Sequence, residues 1–253
     1  MEIVINHPIL VFALTFVGLW ASSRAGALFR MRHGDLTGEE RDDLGMILGA
    51  TLTLLGLIIG FSFSMAISRY DQRKNYEEAE ANAIGTEYVR ADLLPAETAE
   101  KVRDLLRSYV DERVSFYKTR RAEDLKSVNE RTAQLQGALW KAATEQAGSD
   151  ETAMKALVVA GMNDVLNSQG YTQAAWWNRI PPGAWGMMWI IAIFCNGMLG
   201  YYVRPAKQYW MRLMVMPLIV SVSFLLIADI DSPRRGIIKV VPQNLLSLQG
   251  SLK

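Results

Sequence analysis

A run without charged residues extends from Leu44 to Ser68, and polar, helix-forming sequence follows directly from Arg69. The run is twenty-five residues long. A single α-helix needs about 20 apolar residues to cross the hydrocarbon core of a bilayer. No Pro or turn cluster separates the run from the polar sequence after it. The run therefore predicts a transmembrane helix that continues beyond the membrane.

Two stripes of residues share this predicted helix. At 3.6 residues per turn, one sector of its circumference holds the glycines Gly45, Gly49, Gly56 and Gly60. The adjacent sector holds Thr53, Leu57, Phe61, Ser64 and Ser68. Small residues let helices approach closely in membranes, so the glycine stripe is predicted to be a packing surface. The neighbouring stripe mixes hydroxyl and bulky apolar side chains, as the lining of a membrane pathway would.

Three further apolar segments predict that the chain crosses the membrane four times. Half of the residues are hydrophobic, and they are concentrated near 3–22, 44–68, 180–203 and 213–229. The first and last segments are the weakest as spans, but each lies beside a longer one across a short polar loop. The sequence therefore predicts an all-α integral membrane protein, with two transmembrane hairpins (1–68 and 180–230) on either side of a central region.

The central region, residues 69–179, has apolar residues at helical spacing throughout, and no segment alternates as a β-strand would. Pro95 marks a break, and the cluster Gly148-Ser149-Asp150 predicts a second one. We therefore expect a helical bundle of about four helices that is continuous with the second span. Residues 231–253 follow the last span as a C-terminal tail.

Residues that could support catalysis are scarce. His7 and His33 are the two histidines, and the single cysteine, Cys195, lies inside an apolar segment. The sequence offers neither metal-ligand spacing nor a glycine-rich phosphate loop, so we expect no enzyme activity, no metal and no cofactor. Paired acids such as Glu77 and Glu78 are typical of solvated helix faces. The net charge of +1 and the lack of a basic tract argue against nucleic acid as a partner.

Acids at the end of the fourth span allow two interpretations. Asp229 and Asp231 lie where charged groups are costly unless they are paired or hydrated. In the first interpretation, Arg234 or Arg235 pairs with the acids as the helix reaches water. In the second, these four residues form a gating or cation-binding clasp at the membrane mouth.

Two further features of the sequence concern packing. Gly85 lies in predicted helix, where glycine costs about 1 kcal/mol relative to Ala, so an interhelical packing site is favoured there over a ligand site. Tryptophans cluster around the start of the third span, at Trp176, Trp177, Trp185 and Trp189. Their position predicts an aromatic belt at the lipid–water boundary, with a cation-binding aromatic cage as the less favoured alternative.

Three stretches of the chain resemble the bacterial bestrophin-like domain family of integral membrane proteins. They cover residues 60–70, 81–90 and 229–236, with the sequences GFSFSMAISRY, ANAIGTEYVR and DIDSPRRG. The resemblance extends over nearly the whole chain, and the Asn-Ala-Ile-Gly-Thr segment is its most specific part.

The family distantly resembles the bestrophins proper, which are pentameric anion channels with a pore lined by the second span. The resemblance implies that Thr53, Leu57 and Phe61 form a hydrophobic neck. It implies a homo-oligomer, a pentamer if bestrophin-like, in the bacterial inner membrane. Both termini and the helical domain would be cytoplasmic, an orientation that the balanced distribution of Lys and Arg does not decide. The chain departs from the pattern, since its neck holds one aromatic residue and the acidic calcium clasp of animal bestrophins is absent.

Two hypotheses for function remain open at this stage. The first is an oligomeric channel for inorganic anions, with the second span lining the pore in the lipid bilayer. The second is a non-conducting membrane sensor or scaffold whose helical domain binds a ligand or a partner. The lining stripe favours the channel, because a sensor needs no lining, whereas the glycines would serve packing in either protein.

Overall fold

The computed structural model describes residues 2–34, 36–145, 153–203 and 209–252, and these ranges are helical without any β-strand. The helices are α1 (Glu2–Ile5), α2 (Pro8–His33), α3 (Gly38–Arg90), α4 (Ala96–Lys118), α5 (Ala122–Glu145), α6 (Ala153–Trp177), α7 (Pro182–Tyr202), α8 (Tyr209–Asp231) and α9 (Gln243–Ser251). Within the described ranges, four helical segments are long and apolar enough to cross a membrane, and they include α2, α3, α7 and α8. The prediction of an all-α membrane protein is therefore confirmed.

The helix ends follow local sequence signals. A capping box starts α3, since the Thr37 N–H donates to the Glu40 carboxylate at 2.9 Å and the Glu40 N–H donates to Thr37 Oγ1 at 3.3 Å. Gly34 ends α2 at a φ of 91°, a conformation that favours glycine. Pro95 precedes α4, at the break that the sequence predicted. The break predicted at Gly148-Ser149-Asp150 lies outside the described residues.

The chain divides into two compact units. The first, here called the membrane unit, consists of Met1–Ser68 and Arg179–Ile238. The second, called the helical unit, consists of Arg69–Asn178 and Lys239–Lys253. The end of the chain, which the sequence suggested only as a tail, thus contributes α9 to the helical unit.

In the membrane unit, α2 packs against both α7 and α8. The approach of α2 to α7 is close enough that a Cβ at Gly26 would overlap the Gly197 carbonyl oxygen. A Cβ at Gly200 would likewise overlap the Ser23 carbonyl oxygen. The Ser22 hydroxyl donates to the Ile193 carbonyl at 2.7 Å. This seam of small residues is the type of contact by which helices associate in lipid.

The helical unit has its own apolar core between α4, α5 and α6 and the polar continuation of α3. Its fully buried members include Ile84, Val102, Leu106, Tyr109, Leu139, Val158 and Met162. The C-terminal helix α9 is attached to this unit through Glu77, whose carboxylate accepts from the Asn244 side chain at 2.7 Å and from the Leu245 N–H at 2.9 Å. Glu77 is therefore buried, and its interpretation as part of a solvated face is wrong.

The tryptophans do not act as one belt. Trp176 belongs to the core of the helical unit, where it packs edge-on against Phe116 and Tyr117 at centroid distances of 5.1 and 5.4 Å. Trp185 is buried in the membrane unit against Phe224, at 6.0 Å. The aromatic-belt prediction is wrong for these two residues, because packing inside the protein surrounds their rings.

Candidate functional site

The uncharged part of α3 buries one face in the membrane unit and exposes the opposite face. The buried face consists of Leu48, Leu55, Ser62 and Ala66. The exposed face contains every residue that the sequence predicted to be lining, namely Thr53, Leu57, Phe61, Ser64 and Ser68. At about 100° per residue, the centres of the two faces lie roughly 165° apart. We call the exposed set the lining face.

The lining face is apolar at one end and carries hydroxyl groups at the other. Leu57 and Phe61 are 54% and 65% exposed, and with Thr53 they recur every four residues, or about 6 Å along the helix. The Thr53 hydroxyl donates to the Gly49 carbonyl at 2.9 Å, so it is satisfied within its own helix. Ser64 and Ser68 occupy the next turns. Several copies around an axis would give an apolar constriction followed by a hydroxyl-bearing section.

The two flanks of the lining face differ in the size of their side chains. On one side, a Cβ at Gly49, Gly56 or Gly60 would meet no atom within 4 Å, whereas Gly45 lies against the Tyr202 ring at 3.5 Å. On the other side, Ile47 and Leu54 are bulky and about half exposed. Within the part of the chain that the structure describes, Gly45 alone among the four glycines has a neighbour. Packing at the other three stays a prediction about a second copy.

The acids at the end of the fourth span contact backbone N–H groups and Arg179. The Asp231 carboxylate accepts from the Ile180 N–H at 3.1 and 3.4 Å and pairs with Arg179 at 3.4 Å. The Asp229 carboxylate accepts from the N–H groups of Ile237 and Ile238 at 2.7 and 2.8 Å. These contacts join the end of α8 to the residues just before α7 and to the segment that follows α8.

The sequence suggested Arg234 or Arg235 as the partner of these acids. Both arginines lie in the segment that follows α8. Arg235 donates to Nε2 of His7. A Cβ at Gly236 would overlap the Asp229 carbonyl oxygen, so this turn folds tightly over the helix end. Within the described residues, no group of three or more His, Cys, Asp or Glu side chains could hold a metal ion. Since their oxygens accept backbone N–H groups, Asp229 and Asp231 act here as structural acceptors.

The core of the helical unit contains a buried ion pair. The Arg113 guanidinium donates to the Glu80 carboxylate, and both side chains are fully buried. The Thr172 hydroxyl also donates to Glu80, at 3.0 Å, which links α3, α4 and α6. Burial and the nearby Glu80 charge raise the pKa of Tyr109 beside this pair. The burial of Glu80 was not predicted from the sequence, because a carboxylate on an amphipathic helix gives no sign of its depth.

Another buried carboxylate of the helical unit, that of Glu87, has no hydrogen-bond partner on either oxygen among the described residues. Its side chain is fully buried, and Arg90 Nη1 is 4.0 Å away. Burial raises the pKa of Glu87 to about 8; the Asp164 charge adds to the rise, and Arg90 opposes it. A Cβ at Gly161 of α6 would overlap both Glu87 and Arg90. Nearby, a Cβ at Gly85 would lie 3.2 Å from the Leu248 side chain of α9.

Comparisons with known proteins agree on one family. The family profile of the bestrophin-like domain matches residues 9–245. Among solved structures, the chain is similar to a bacterial bestrophin homolog from Klebsiella pneumoniae solved by zinc phasing, with 16% identity, 96% of this chain and 98% of that chain covered, and a TM-score of 0.61. A single-residue variant of that homolog matches with 13% identity, coverage of 97% and 98%, and a TM-score of 0.63. No curated protein matches the chain.

Proposed function

Because this chain belongs to the bestrophin-like domain family, we propose that it is the subunit of an oligomeric ion channel that conducts inorganic anions, with α3 lining the pore. The choice of anions follows from the resemblance to the bestrophins proper. The alternative function, that of a non-conducting sensor or scaffold, would also place the protein in the membrane.

The observation that carries the proposal is the uncovered lining face of α3. Of the most apolar window of this span, 11% is buried within the chain, against 50% for α8. Lipid tails offer no hydrogen-bond partner to an exposed hydroxyl group, so a helix that faced only lipid would need no serines at these positions. An aqueous axis in front of Ser64 and Ser68 accounts for their exposure. It also places Phe61 at the apolar constriction of the pore.

The unequal flanks of α3 support a closed ring of subunits. Glycines lie on one flank and bulky residues such as Ile47 and Leu54 on the other, roughly 160° apart around the helix. The bulky flank of one copy would fill the open space beside Gly49, Gly56 and Gly60 of the next. Such a head-to-tail contact uses two different surfaces and closes into a ring when the rotation permits. The resemblance favours five copies.

The orientation proposed is cytoplasmic for both termini and for the helical unit, in the bacterial inner membrane. Support comes from the resemblance to bestrophins. Cysteines introduced at Thr37 and at Glu123 test it in intact cells, with Cys195 replaced by Ser. A membrane-impermeant thiol reagent applied outside should label Thr37→Cys and spare Glu123→Cys. Labelling of Glu123→Cys from outside would reverse the orientation.

Conduction is tested by reconstituting the purified protein into planar bilayers under a chloride gradient. We expect currents whose reversal potential follows chloride. Phe61→Ala should raise the unit current, because it widens an apolar constriction whose dewetting limits conduction. Phe194→Ala is the matched control, since Phe194 is 59% exposed on a different span. A folded, oligomeric wild-type protein that passes no current would contradict the channel and favour the sensor.

A further inference from the structure

The membrane unit contains an apolar groove of about 450 Å³ between the start of α2 and the last turns of α8. Ile9 forms one wall, Val222 and Leu226 form the other, and Ile237 closes one end. These four apolar side chains are between 40% and 88% exposed, so the groove is open along its side. The described chain leaves it unfilled.

The charged groups of the groove lie at one end only. Arg235, which is exposed, extends over this end and donates to His7. The Asp229 carboxylate also borders the groove, but both of its oxygens accept backbone N–H groups. The tight turn at Gly236 fixes the position of Arg235 relative to the end of α8. The groove therefore combines an apolar trough with a cation at its end.

This arrangement has the dimensions and polarity of a lipid site. Val222 and Leu226 belong to the apolar part of α8, so the trough opens at hydrocarbon depth. Arg235 comes four residues after the end of α8, where the chain reaches the headgroup layer. A phospholipid places its acyl chains and its phosphate at these two depths.

We propose that this groove binds a phospholipid with an anionic headgroup, with its phosphate on Arg235 and an acyl chain along Ile9, Val222 and Leu226. The proposal does not depend on ion conduction, because a sensor or scaffold would present the same groove to lipid. Anionic lipids are selected over zwitterionic ones because an exposed cation at the interface, here Arg235, attracts net negative charge.

The proposal is tested by native mass spectrometry of the intact oligomer with equal amounts of phosphatidylglycerol and phosphatidylethanolamine that carry identical acyl chains. We expect wild type to retain phosphatidylglycerol preferentially. Arg235→Gln should weaken that retention about fivefold, the effect of one cationic contact. Arg212→Gln, at the opposite end of α8, is the matched control and should retain lipid as wild type does.

The apolar part of the site is tested by filling it. Leu226→Trp should reduce retention of both lipids, whereas Ile219→Trp, two turns earlier on the same helix, should not. Thermal unfolding of each variant establishes that it is folded. Equal retention of the two lipids by wild type, or equal loss in the Arg212 and Arg235 variants, would overturn the proposal. So would disulfide formation between copies of Leu226→Cys, since a second copy would then cover the groove.

Discussion

The buried carboxylate of Glu87, which accepts no hydrogen bond from the described residues, predicts a specific dependence of stability on pH. Its pKa is raised from an ordinary value of 4.5 to about 8, chiefly because its side chain is fully buried, while Asp164 adds to the rise and Arg90 opposes it. Between about pH 4.5 and pH 8 the folded protein keeps the Glu87 proton that the unfolded chain has released. The folded state binds more protons there, so the free energy of unfolding falls as the pH rises through this window.

The magnitude follows from the size of the pKa shift. One pKa unit corresponds to about 1.4 kcal/mol, so a rise from 4.5 to about 8 amounts to about 5 kcal/mol. Replacement by Gln keeps the shape of the neutral acid and removes the titration. Within this window, the free energy of unfolding of wild type should fall by up to about 1.4 kcal/mol per pH unit relative to that of Glu87→Gln. Above the window, the difference between the two proteins should no longer change with pH.

Hydrogen exchange of the folded protein is the suitable assay, because it reports the opening of α3 against α6 without global unfolding. Amides near residues 84–90 and 158–165 should exchange faster in wild type than in Glu87→Gln above about pH 7, after correction for intrinsic rates, and equally at about pH 5. Glu78→Gln, an exposed residue of the same helix, is the control. Parallel pH profiles for wild type and Glu87→Gln would show that Glu87 does not titrate with a raised pKa in the folded protein.

Three further predictions concern packing and buried charge. Asp231→Ala should lower the thermal unfolding midpoint and cost about 3 kcal/mol or more of stability, because it removes the buried acceptor for the Ile180 N–H and for Arg179. An unchanged midpoint would show that these two contacts add no stability. Gly200→Leu should force α2 and α7 apart and abolish a monodisperse elution profile, while Gly183→Leu, with no atom within 4 Å of its Cβ, should not. Glu80→Gln should destabilise the helical unit by about 3–5 kcal/mol in thermal unfolding, because it leaves Arg113 charged and buried, and Arg113→Met in the same chain should recover much of the loss. No recovery in the double variant would show that shape, not charge, sets the cost.

The sequence predicted the elements well where a local signal is strong. The run from Leu44 to Ser68 indicated a membrane helix that continues past Arg69, and α3 extends to Arg90. The break at Pro95 was visible because proline disfavours helix in the residue before it. The helical spacing of apolar residues after Pro95 predicted part of a helical bundle, and Val102 and Leu106 of that segment lie in its core.

Contacts between residues that are far apart in the sequence could not be predicted from local sequence patterns. Gly26 and Gly200 lie where α2 and α7 approach closely, yet nothing in the sequence distinguishes them from Gly49, whose Cβ would meet no described atom within 4 Å. A weak signal was present in the small residues at Gly197 and Gly200, three apart. The partners of Asp229 were missed for a related reason, since they are backbone N–H groups, which every residue but proline carries.

The depth of the glutamates could not be predicted from the sequence. Glu77, Glu80 and Glu87 lie on one amphipathic helix with Glu78, and residue type alone gives the same expectation for all four. Three of them are buried because α4, α6 and α9 pack over that side of α3 in the helical unit. Tertiary packing of this kind overrides the local preference of charged residues for water.

The central claim is that the exposed face of α3 lines an aqueous pore, and block by a thiol reagent tests it most directly. Single cysteines at Thr53 and Leu57 on the lining face, and at Leu48 and Leu55 on the buried face, are introduced into a Cys195→Ser protein. A water-soluble methanethiosulfonate is then applied to the conducting channel. The account predicts block of current in the Thr53 and Leu57 variants and no change in the other two. Block at Leu48 and Leu55 without block at the lining positions, or a folded oligomer that never conducts, would contradict it.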